Sequence, residues 1–316
     1  MIVKEELVNG IKIYTVKKDM TDEAVEKKLG TLLTDRSCSK VLDHDADVYT
    51  TEGKLLLRFR KNVLPQKNIA AAYDNLIDFA MMKTSTRGTT SATKKGERNP
   101  GTNTPIMSNI IGYFDKWTIG QKHVFKVLGI KPPFKVRVSS YTTKHPEKWK
   151  NVQPLIGDID RMYKRLNPAQ HKKQTAMANE TAYRIPKTCF TTVTTNVNLQ
   201  TACHTDSGDF KEGFGNLVVI EKGSYKGGYT VFPQYGVGVD VRTGDFLAMD
   251  VHQIHGNTKV TPLSKDAIRM SLVSYLREEV VMKSKGTTDA HVRRNITTMK
   301  RIHEKFRKEK EAEKLP

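Results

Sequence analysis

The chain has 316 residues, 37% of them hydrophobic, and its 53 Lys and Arg against 34 Asp and Glu give a formal net charge of +19. That length suffices for a sizeable core in one large domain or two small ones. No apolar run approaches the roughly eighteen residues of a membrane span, and the first residues lack the basic-then-apolar order of a secretory signal. Three cysteines without a CxxC pair argue against a disulfide framework or a zinc finger and favour a reducing, intracellular compartment.

The excess of positive charge predicts a polyanionic partner. Nucleic acid is the first candidate, because phosphate neutralisation by Lys and Arg drives sequence-independent binding. The alternatives are a protein kept soluble by its charge and one that meets a ribosome or an acidic partner.

In chain order, residues 1–60 alternate the short apolar runs IKIYTV and KLLLRFR with a helix predicted over residues 21–34. Thr21 can cap that helix, and acidic residues in its first turn suit the helix dipole. A buried amphipathic helix is predicted over residues 70–83, AAAYDNLIDFAMMK, because its apolar residues recur at helical spacing.

Residues 83–105, KTSTRGTTSATKKGERNPGTNTP, are polar, basic and rich in Gly, Thr and Ser, a composition that cannot bury enough apolar surface to pack. Long loops of this kind tend to be functional or mobile. A DNA-facing loop and a solvated linker are both open, with the former favoured. The basic residues concerned are Arg87, Lys94, Lys95 and Arg98.

Residues 144–181 predict one or two helices with an apolar face. His145 and Glu147 form an H-x-E pair there, but Pro146 between them indicates a helix start, so the pair is interpreted as structural or surface. At the end of the chain, residues 279–316 alternate charges at helical spacing. They predict a solvated helix, with DNA contact as the lesser alternative.

Residues 188–278 consist of short β-branched and aromatic runs separated by glycine, such as GNLVVI, GGYTVFP, GDFLAMDV and IRMSLVSYL. Strands this short and this closely spaced favour a sandwich or barrel. The predicted fold class is therefore α+β, with a jelly-roll core over residues 188–278. A mixed helical and strand part over residues 1–187 packs on it, the charged helix follows over residues 279–316, and the whole forms one continuous domain.

A metal-binding pattern lies in the strand-rich part. His204 and Asp206 form an H-x-D pair, and side chains two apart on an extended strand project from the same face. Two imidazoles and a carboxylate make the facial triad of non-haem Fe(II) oxygenases. The third ligand must come from a distant strand that lies alongside, and His252 and His255 compete for that place. Arg269, at the head of a later apolar strand, could bind a dicarboxylate through two parallel hydrogen bonds.

With these residues in place, the chain resembles the 2-oxoglutarate/Fe(II)-dependent dioxygenases, and among them the TET/JBP branch that oxidises the methyl group of pyrimidine bases in DNA. The resemblance is carried by CHTDSGDFKEGFGNLVVI, GGYTVFPQYGVGVDVRTGDFLAMDVHQIHGNT and IRMSLVSYLRE, and more thinly by RFRKNVLP, TSTRGTT and SNIIGYFD. It implies a double-stranded β-helix with flanking helices. It also implies Fe(II), 2-oxoglutarate and O2 as cofactor and co-substrates.

By the same resemblance, His204, Asp206 and His255 would bind iron, and His252 would be a supporting or core residue. Arg269 would bind the distal carboxylate of 2-oxoglutarate, with Ser271 nearby. Asn196 or Asn198 could donate to its inner carboxylate, or could instead hydrogen-bond the turn. Asp209 lies where relatives contact the target base. It could accept from cytosine's exocyclic amine, or it could be a turn residue.

The implied substrate is duplex DNA with one nucleotide extruded into the pocket, held by phosphate contacts and bound by a monomer. Candidate contacts with DNA are Arg87, Lys94, Lys95, Arg98, Asn109 and Lys211. Tyr113 or Phe114 could stack on the extruded base, unless both are core residues.

The favoured reaction is conversion of 5-methylcytosine to 5-hydroxymethylcytosine. The alternatives are a thymine hydroxylase, a protein side-chain hydroxylase, and a DNA-binding module with an inactive cupin.

Overall fold

The computed structural model describes residues 1–84, 88–91 and 105–312, and within them the chain is an α+β structure. The strands are β1 Ile2–Val8, β2 Ile11–Val16, β3 Lys40–Leu42, β4 Ala46–Thr50, β5 Leu55–Arg60, β6 Ser108–Phe114, β7 Arg137–Val138, β8 Thr192–Val197, β9 Gly215–Lys222, β10 Tyr225–Gly227, β11 Thr230–Phe232, β12 Val237–Val239, β13 Phe246–Met249, β14 Gly256–Asn257, β15 Val260–Pro262 and β16 Ile268–Tyr275. The helices are α1 Asp22–Glu26, α2 Gln66–Ala80, α3 Ile119–Val127, α4 Ser140–Lys144, α5 Pro146–Leu166, α6 Pro168–Ala178, α7 Glu278–Ser284 and α8 Asp289–Ala312, with 3-10 turns at Asp35–Ser37 and Gly88–Ser91.

Two sheets build the centre of the molecule. The large sheet has ten strands in the order β1-β2-β4-β5-β13-β9-β16-β8-β6-β7, and a smaller sheet has the order β14-β11-β12-β3. A two-stranded sheet pairs β10 with β15. Apart from β3, the strands of the first sixty residues hydrogen-bond into the same large sheet as strands of the predicted jelly-roll core, and so do the strands of residues 108–138.

The alternation of β9 shows how the large sheet is buried on both faces. Successive side chains of a strand point to opposite faces. Leu217 and Val219 pack in one apolar cluster with the small sheet, whereas Val218 and Ile220 pack in another with the helices. A continuous apolar run such as GNLVVI is typical of a strand covered on both sides.

The helical layer agrees with the sequence prediction. The helix predicted over residues 70–83 is observed as α2, and the segment 144–181 forms α5 and α6. The face predicted to be apolar is buried, with Leu155, Ile159, Met162 and Leu166 in the helix-facing cluster. His145 and Glu147 are exposed at the start of α5, as expected for the H-x-E pair at a helix start.

The helix predicted over residues 21–34 is too long. Thr21 does cap it, since its side chain accepts from the Ala24 backbone N–H, but the helix ends at Glu26. Gly30 then takes a positive φ of 77°, which a glycine adopts readily. Its N–H donates to the Cys203 carbonyl at 2.8 Å. Tertiary hydrogen bonding beside the metal-binding loop therefore outweighs the helical periodicity of the segment.

The predicted fold class is confirmed: flanking helices cover a large sheet that faces a smaller one. The loop predicted over residues 83–105 lies mostly outside the described residues, and with it the predictions for Arg87, Lys94, Lys95 and Arg98. Over the residues that are described, none of the helices combines the length and apolarity needed to cross a bilayer.

Candidate metal centre and substrate cavity

His204 and His255 meet as an isolated antiparallel bridge. The His204 N–H donates to the His255 carbonyl at 2.9 Å, and the His255 N–H donates to the His204 carbonyl at 3.0 Å. The two rings lie 4.5 Å apart between centroids. Asp206 is held against the segment that precedes His255, because its N–H donates to the Val251 carbonyl at 3.0 Å. Residues fifty apart in sequence are thus fixed side by side by backbone hydrogen bonds.

The three side chains present a metal-binding donor set. Each imidazole has its Nδ1 against a backbone carbonyl, Ala202 for His204 at 2.7 Å and Gln253 for His255 at 2.9 Å. A carbonyl only accepts, so each Nδ1 carries the proton and each Nε2 presents a lone pair.

These Nε2 atoms lie 3.6 Å and 3.8 Å from the two Asp206 carboxylate oxygens, too far for hydrogen bonds. The three ligand atoms lie within 4.8 Å of one another. The arrangement fits an Fe(II) ion held on one face.

His252 lies apart from this group. Its Nε2 is 3.3 Å from the Phe210 carbonyl, and it lines a separate cavity of about 540 Å³ together with Lys211. Strand β13 ends at Met249 and the chain turns before His255. The strand alternation that would have pointed His252 inward therefore stops before it reaches that residue. The geometry thus gathers His204, Asp206 and His255, and leaves His252 and Lys211 at the second cavity.

Arg269 is a buried cation whose guanidinium lacks a carboxylate partner in the described part of the chain. Only 5% of the residue is exposed, and burial lowers the pKa of its guanidinium. Among the described residues no side-chain acceptor is hydrogen-bonded to the guanidinium itself. A buried charge is costly without a partner, so the guanidinium fits the carboxylate of a bound acid. Gly228 (φ 73°) makes room for it, since a Cβ there would lie 2.8 Å from the Arg269 Nε.

One strand face lines the main cavity, which has a volume of about 760 Å³. Alternate residues of β16 and its continuation point into it, together with the metal-binding residues. They are Arg269, Ser271, Val273, Tyr275 and Arg277. The intervening Met270 and Leu272 pack against the helices instead. The cavity therefore brings the metal triad and the buried cation Arg269 together.

The asparagines predicted from the sequence have different environments. Asn196 lines the cavity, accepting from the Ser108 hydroxyl at 2.5 Å and donating to Ser271 at 3.4 Å. Asn198 is engaged at the strand end: it donates to the Ala267 carbonyl and accepts from the Arg269 backbone N–H at 2.7 Å. Asn198 thus makes the hydrogen bonds to the turn that the sequence analysis gave as the alternative to binding 2-oxoglutarate. Asn109 donates to the Ala80 and Met82 carbonyls at the end of α2, away from the cavity lining.

Asp209 is a buried carboxyl group on the cavity wall. Its Oδ2 has no hydrogen-bond partner in the described part of the chain, and burial, followed by the negative charge of Asp206, raises its pKa well above the usual range. Its backbone forms a bridge with Arg277. A buried acceptor without a partner is costly, so this wall suits a ligand that donates a hydrogen bond.

Arg277 was not foreseen from the sequence. Its Nε donates to Asp115 at 2.6 Å, and its guanidinium lies over the Phe114 ring at 4.6 Å. Gly208 leaves room for this position, because a Cβ at that residue would overlap the Arg277 guanidinium. Strand alternation counted from Arg269 through Ser271 would have reached Arg277 if it had been extended past the apolar strand.

The aromatic residues proposed to stack on a base differ in position. Tyr113 is a core residue, packed edge-on against Tyr183 at 5.4 Å. Phe114 lines the cavity, with Arg137 also over its ring at 5.3 Å. Tyr275, missed from the sequence, lines the cavity as well, and its hydroxyl lies 3.1 Å from Thr194 Oγ1.

A second cluster of potential ligands, Asp160, His171 and Cys189, is buried. Hydrogen bonds account for it: Asp160 Oδ1 accepts from the Cys189 N–H at 2.8 Å and lies 3.2 Å from His171 Nε2. Burial also raises the pKa of the Cys189 thiol well above its usual value, which disfavours the thiolate that a metal requires. The cluster is therefore interpreted as a structural connection between α5, α6 and the start of β8.

Comparisons with known proteins agree with this geometry. Residues 129–278 match the Tet_JBP family, described as the oxygenase domain of the 2OGFeDO superfamily. Thymine dioxygenase JBP1 of Trypanosoma brucei brucei is 35% identical over 172 residues, which cover 54% of this chain and 19% of that protein. The bifunctional helicase and thymine dioxygenase JBP2 of Leishmania infantum is 33% identical over 188 residues, 59% of this chain and 16% of that protein.

The chain thus spans less than a fifth of the length of these curated relatives. A solved structure of NgTET1 in complex with 5mC DNA shares the fold, with a TM-score of 0.54 at 12% identity, over 87% of this chain and 98% of that one. The resemblance inferred from the sequence motifs is confirmed. Residues 129–278 are thus similar to the Tet_JBP oxygenase domain of the 2OGFeDO superfamily.

Proposed function

We propose that this chain is a dioxygenase that uses Fe(II), 2-oxoglutarate and O2 to hydroxylate the 5-methyl group of a pyrimidine base in DNA. The observation that carries the proposal is the single cavity of about 760 Å³ lined by His204, Asp206, His255 and the buried Arg269. Such a cavity has room for a small dicarboxylic acid and part of a second ligand.

The residues present would divide the work. His204, Asp206 and His255 would hold the iron, and Arg269 would bind the distal carboxylate of 2-oxoglutarate beside Ser271. The iron and 2-oxoglutarate supply the oxidising chemistry: one atom of O2 enters the methyl group as a hydroxyl, and the other enters succinate as CO2 is released.

Asp209 and Arg277 suit the polar edge of an extruded pyrimidine. Arg277 only donates hydrogen bonds, whereas the buried Asp209 carboxyl can accept one at Oδ2, or donate one when it is protonated. Thymine offers N3–H between two carbonyl oxygens, and 5-methylcytosine offers its amine next to N3. Each base can therefore satisfy both side chains, and the pair recognises a pyrimidine in general.

We place thymine first as the substrate, because the curated relatives are named thymine dioxygenases. The sequence by itself favours 5-methylcytosine, and that prediction stays untested. It keeps support from Asp209, whose carboxylate can accept from the exocyclic amine, and from the fold shared with a protein solved with 5mC DNA. The substrate in either case is a duplex from which one nucleotide is extruded.

The test is nucleoside mass spectrometry on duplex DNA treated with the purified protein, Fe(II), 2-oxoglutarate and ascorbate. Two duplexes of the same sequence are used, one of which carries 5-methylcytosine. We expect 5-hydroxymethyluracil from both and an unchanged 5-methylcytosine content. Oxidised cytosine without oxidised thymine would reverse the choice of base. Oxidation of neither, while succinate is still formed from 2-oxoglutarate, would contradict DNA as the substrate.

Replacement of Arg277 by glutamine is expected to lower kcat/KM on the DNA substrate by about 10- to 100-fold, since a hydrogen bond from a charged donor contributes about 1.5–3 kcal/mol. The 2-oxoglutarate KM should not change. Lys283→Gln is the matched control, because Lys283 also approaches Asp115, at 3.5 Å, yet does not line the cavity. An equal loss in both variants would mean that the Asp115 network, and not a contact to the base, matters.

A further inference from the structure

We propose that residues 116–137 and α8 together form a DNA-binding surface beside the cavity, here called the basic flank, which holds the phosphate backbone next to the extruded nucleotide. The choice of DNA as the occupant rests on the proposed function. This surface is separate from the loop of residues 83–105, for which the sequence predicts contacts with DNA.

The charge of the basic flank is concentrated. Residues 116–137 contain six Lys or Arg and no Asp or Glu, and α8 contains eight against four. The two segments therefore hold a net charge of +10, more than half of the chain's +19, in about a seventh of its length. The five lysines of residues 116–137 are all exposed, and in the structure as described none of them forms an ion pair. In α8, Lys305 pairs with Glu309 at 3.7 Å.

The basic flank is a packed structure and not a loose tail. His123 of α3 meets Phe306 of α8 edge-on, with ring centroids 6.0 Å apart. Asn295 of α8, fully buried, donates to the Val136 carbonyl at 2.9 Å and to the Tyr183 hydroxyl at 2.8 Å. The lysines thus project from a scaffold whose position is fixed, which reduces the entropy lost when they bind phosphates.

The basic flank begins at the cavity. Lys116 lines the cavity, two residues after Phe114, and its carbonyl accepts from the Arg137 Nε at 2.6 Å. From there the chain continues into α3, which packs on α8. A helix of 24 residues is about 36 Å long, which matches one turn of B-DNA, about 34–36 Å. A duplex positioned by the basic flank would place its backbone next to the cavity mouth.

A solvated charged face that only keeps the protein soluble is the ordinary interpretation of such segments. Two observations favour DNA. Acidic residues are absent from residues 116–137, where a solubility surface normally mixes both signs. Positive charges also lie close to one another on α8. Burial lowers the pKa of His303, and the neighbouring charges of Lys144 and Arg307 lower it further. Repulsion of this kind is relieved by a bound polyanion.

The test uses the charge reversal Lys122→Glu with Lys126→Glu on α3, and DNA binding measured by fluorescence anisotropy without iron or 2-oxoglutarate. The control is Lys164→Glu with Lys172→Glu, which makes the same charge change at exposed residues of α5 and α6. We expect the α3 variant to bind duplex DNA at least about tenfold more weakly than the control. The slope of log K against log salt should fall by about two, one for each phosphate that is no longer neutralised.

The neutral pair Lys122→Gln with Lys126→Gln should give the same change in slope, which separates weaker phosphate binding from misfolding of a charge-reversed helix. Equal weakening in the α3 variants and the control, or an unchanged slope, would overturn the proposal. So would wild-type binding to polyglutamate as tight as binding to DNA. Because binding is measured without turnover, a protein that binds DNA through the basic flank yet oxidises no base would contradict the proposed function alone.

Discussion

Replacing His255 with alanine is expected to abolish hydroxylation, with a loss of at least about 100-fold. Changes to residues that merely support a metal ligand already cost 10–100-fold, and His255 supplies one of three ligand atoms. Metal binding should fall in parallel, measured by equilibrium dialysis with Mn(II), so that loss of the ion is separated from loss of a later step.

His252→Ala is the matched control. Its Nε2 lies beside the Phe210 carbonyl, so the variant should keep metal binding and most of its activity. If His252→Ala lost the metal while His255→Ala kept it, the assignment of the third ligand would be wrong, whatever base is oxidised.

Arg269→Met is expected to weaken 2-oxoglutarate binding by about 10- to 100-fold or more, because two charge-assisted hydrogen bonds are removed. Wild-type protein with Mn(II) should melt at a higher temperature when 2-oxoglutarate is added, since a ligand bound only by the folded state stabilises it. The variant should show no such increase. Without ligand it should be as stable as the wild type, because a buried cation without an acceptor is exchanged for an apolar side chain.

Arg242→Met provides the contrast. Arg242 forms ion pairs with Glu221 at 3.1 Å and Asp240 at 2.7 Å, which hold its pKa above the usual range, although burial opposes them. This variant should lose stability but keep the temperature increase caused by 2-oxoglutarate. A full increase in Arg269→Met would show that the acid binds elsewhere.

The parts of the site that the sequence predicted depend on strand alternation and on short spacings. The H-x-D pair follows from residues two apart on extended chain, and Arg269 from its place at the head of an apolar strand. Ser271 came from the family resemblance. The choice of His255 over His252 came from family resemblance, because a continued strand would have favoured His252. The physical reason lies in the backbone bridge between His204 and His255, which sequence spacing does not reveal.

Other features depend on contacts between distant segments. Asn198 and Asn109 have the side chains expected of binding residues, but backbone carbonyls already engage their amides. Helix α1 is short because the following residues hydrogen-bond to Cys203. Arg277 lies beyond the apolar strand, and only the fold shows that Asp115 and Gly208 hold it in the cavity.

Along β16, substitutions and insertions would have different effects on the cavity. Arg269 and Ser271 lie at one end of a single row of inward-facing residues, and Tyr275 and Arg277 lie at the other. With the roles proposed above, substitutions at the far end would alter which base is accepted, while binding of the organic acid would be preserved. A one-residue insertion in the middle would turn half of the row outward, so the row keeps its place in the cavity when side chains are exchanged but not when the strand changes length.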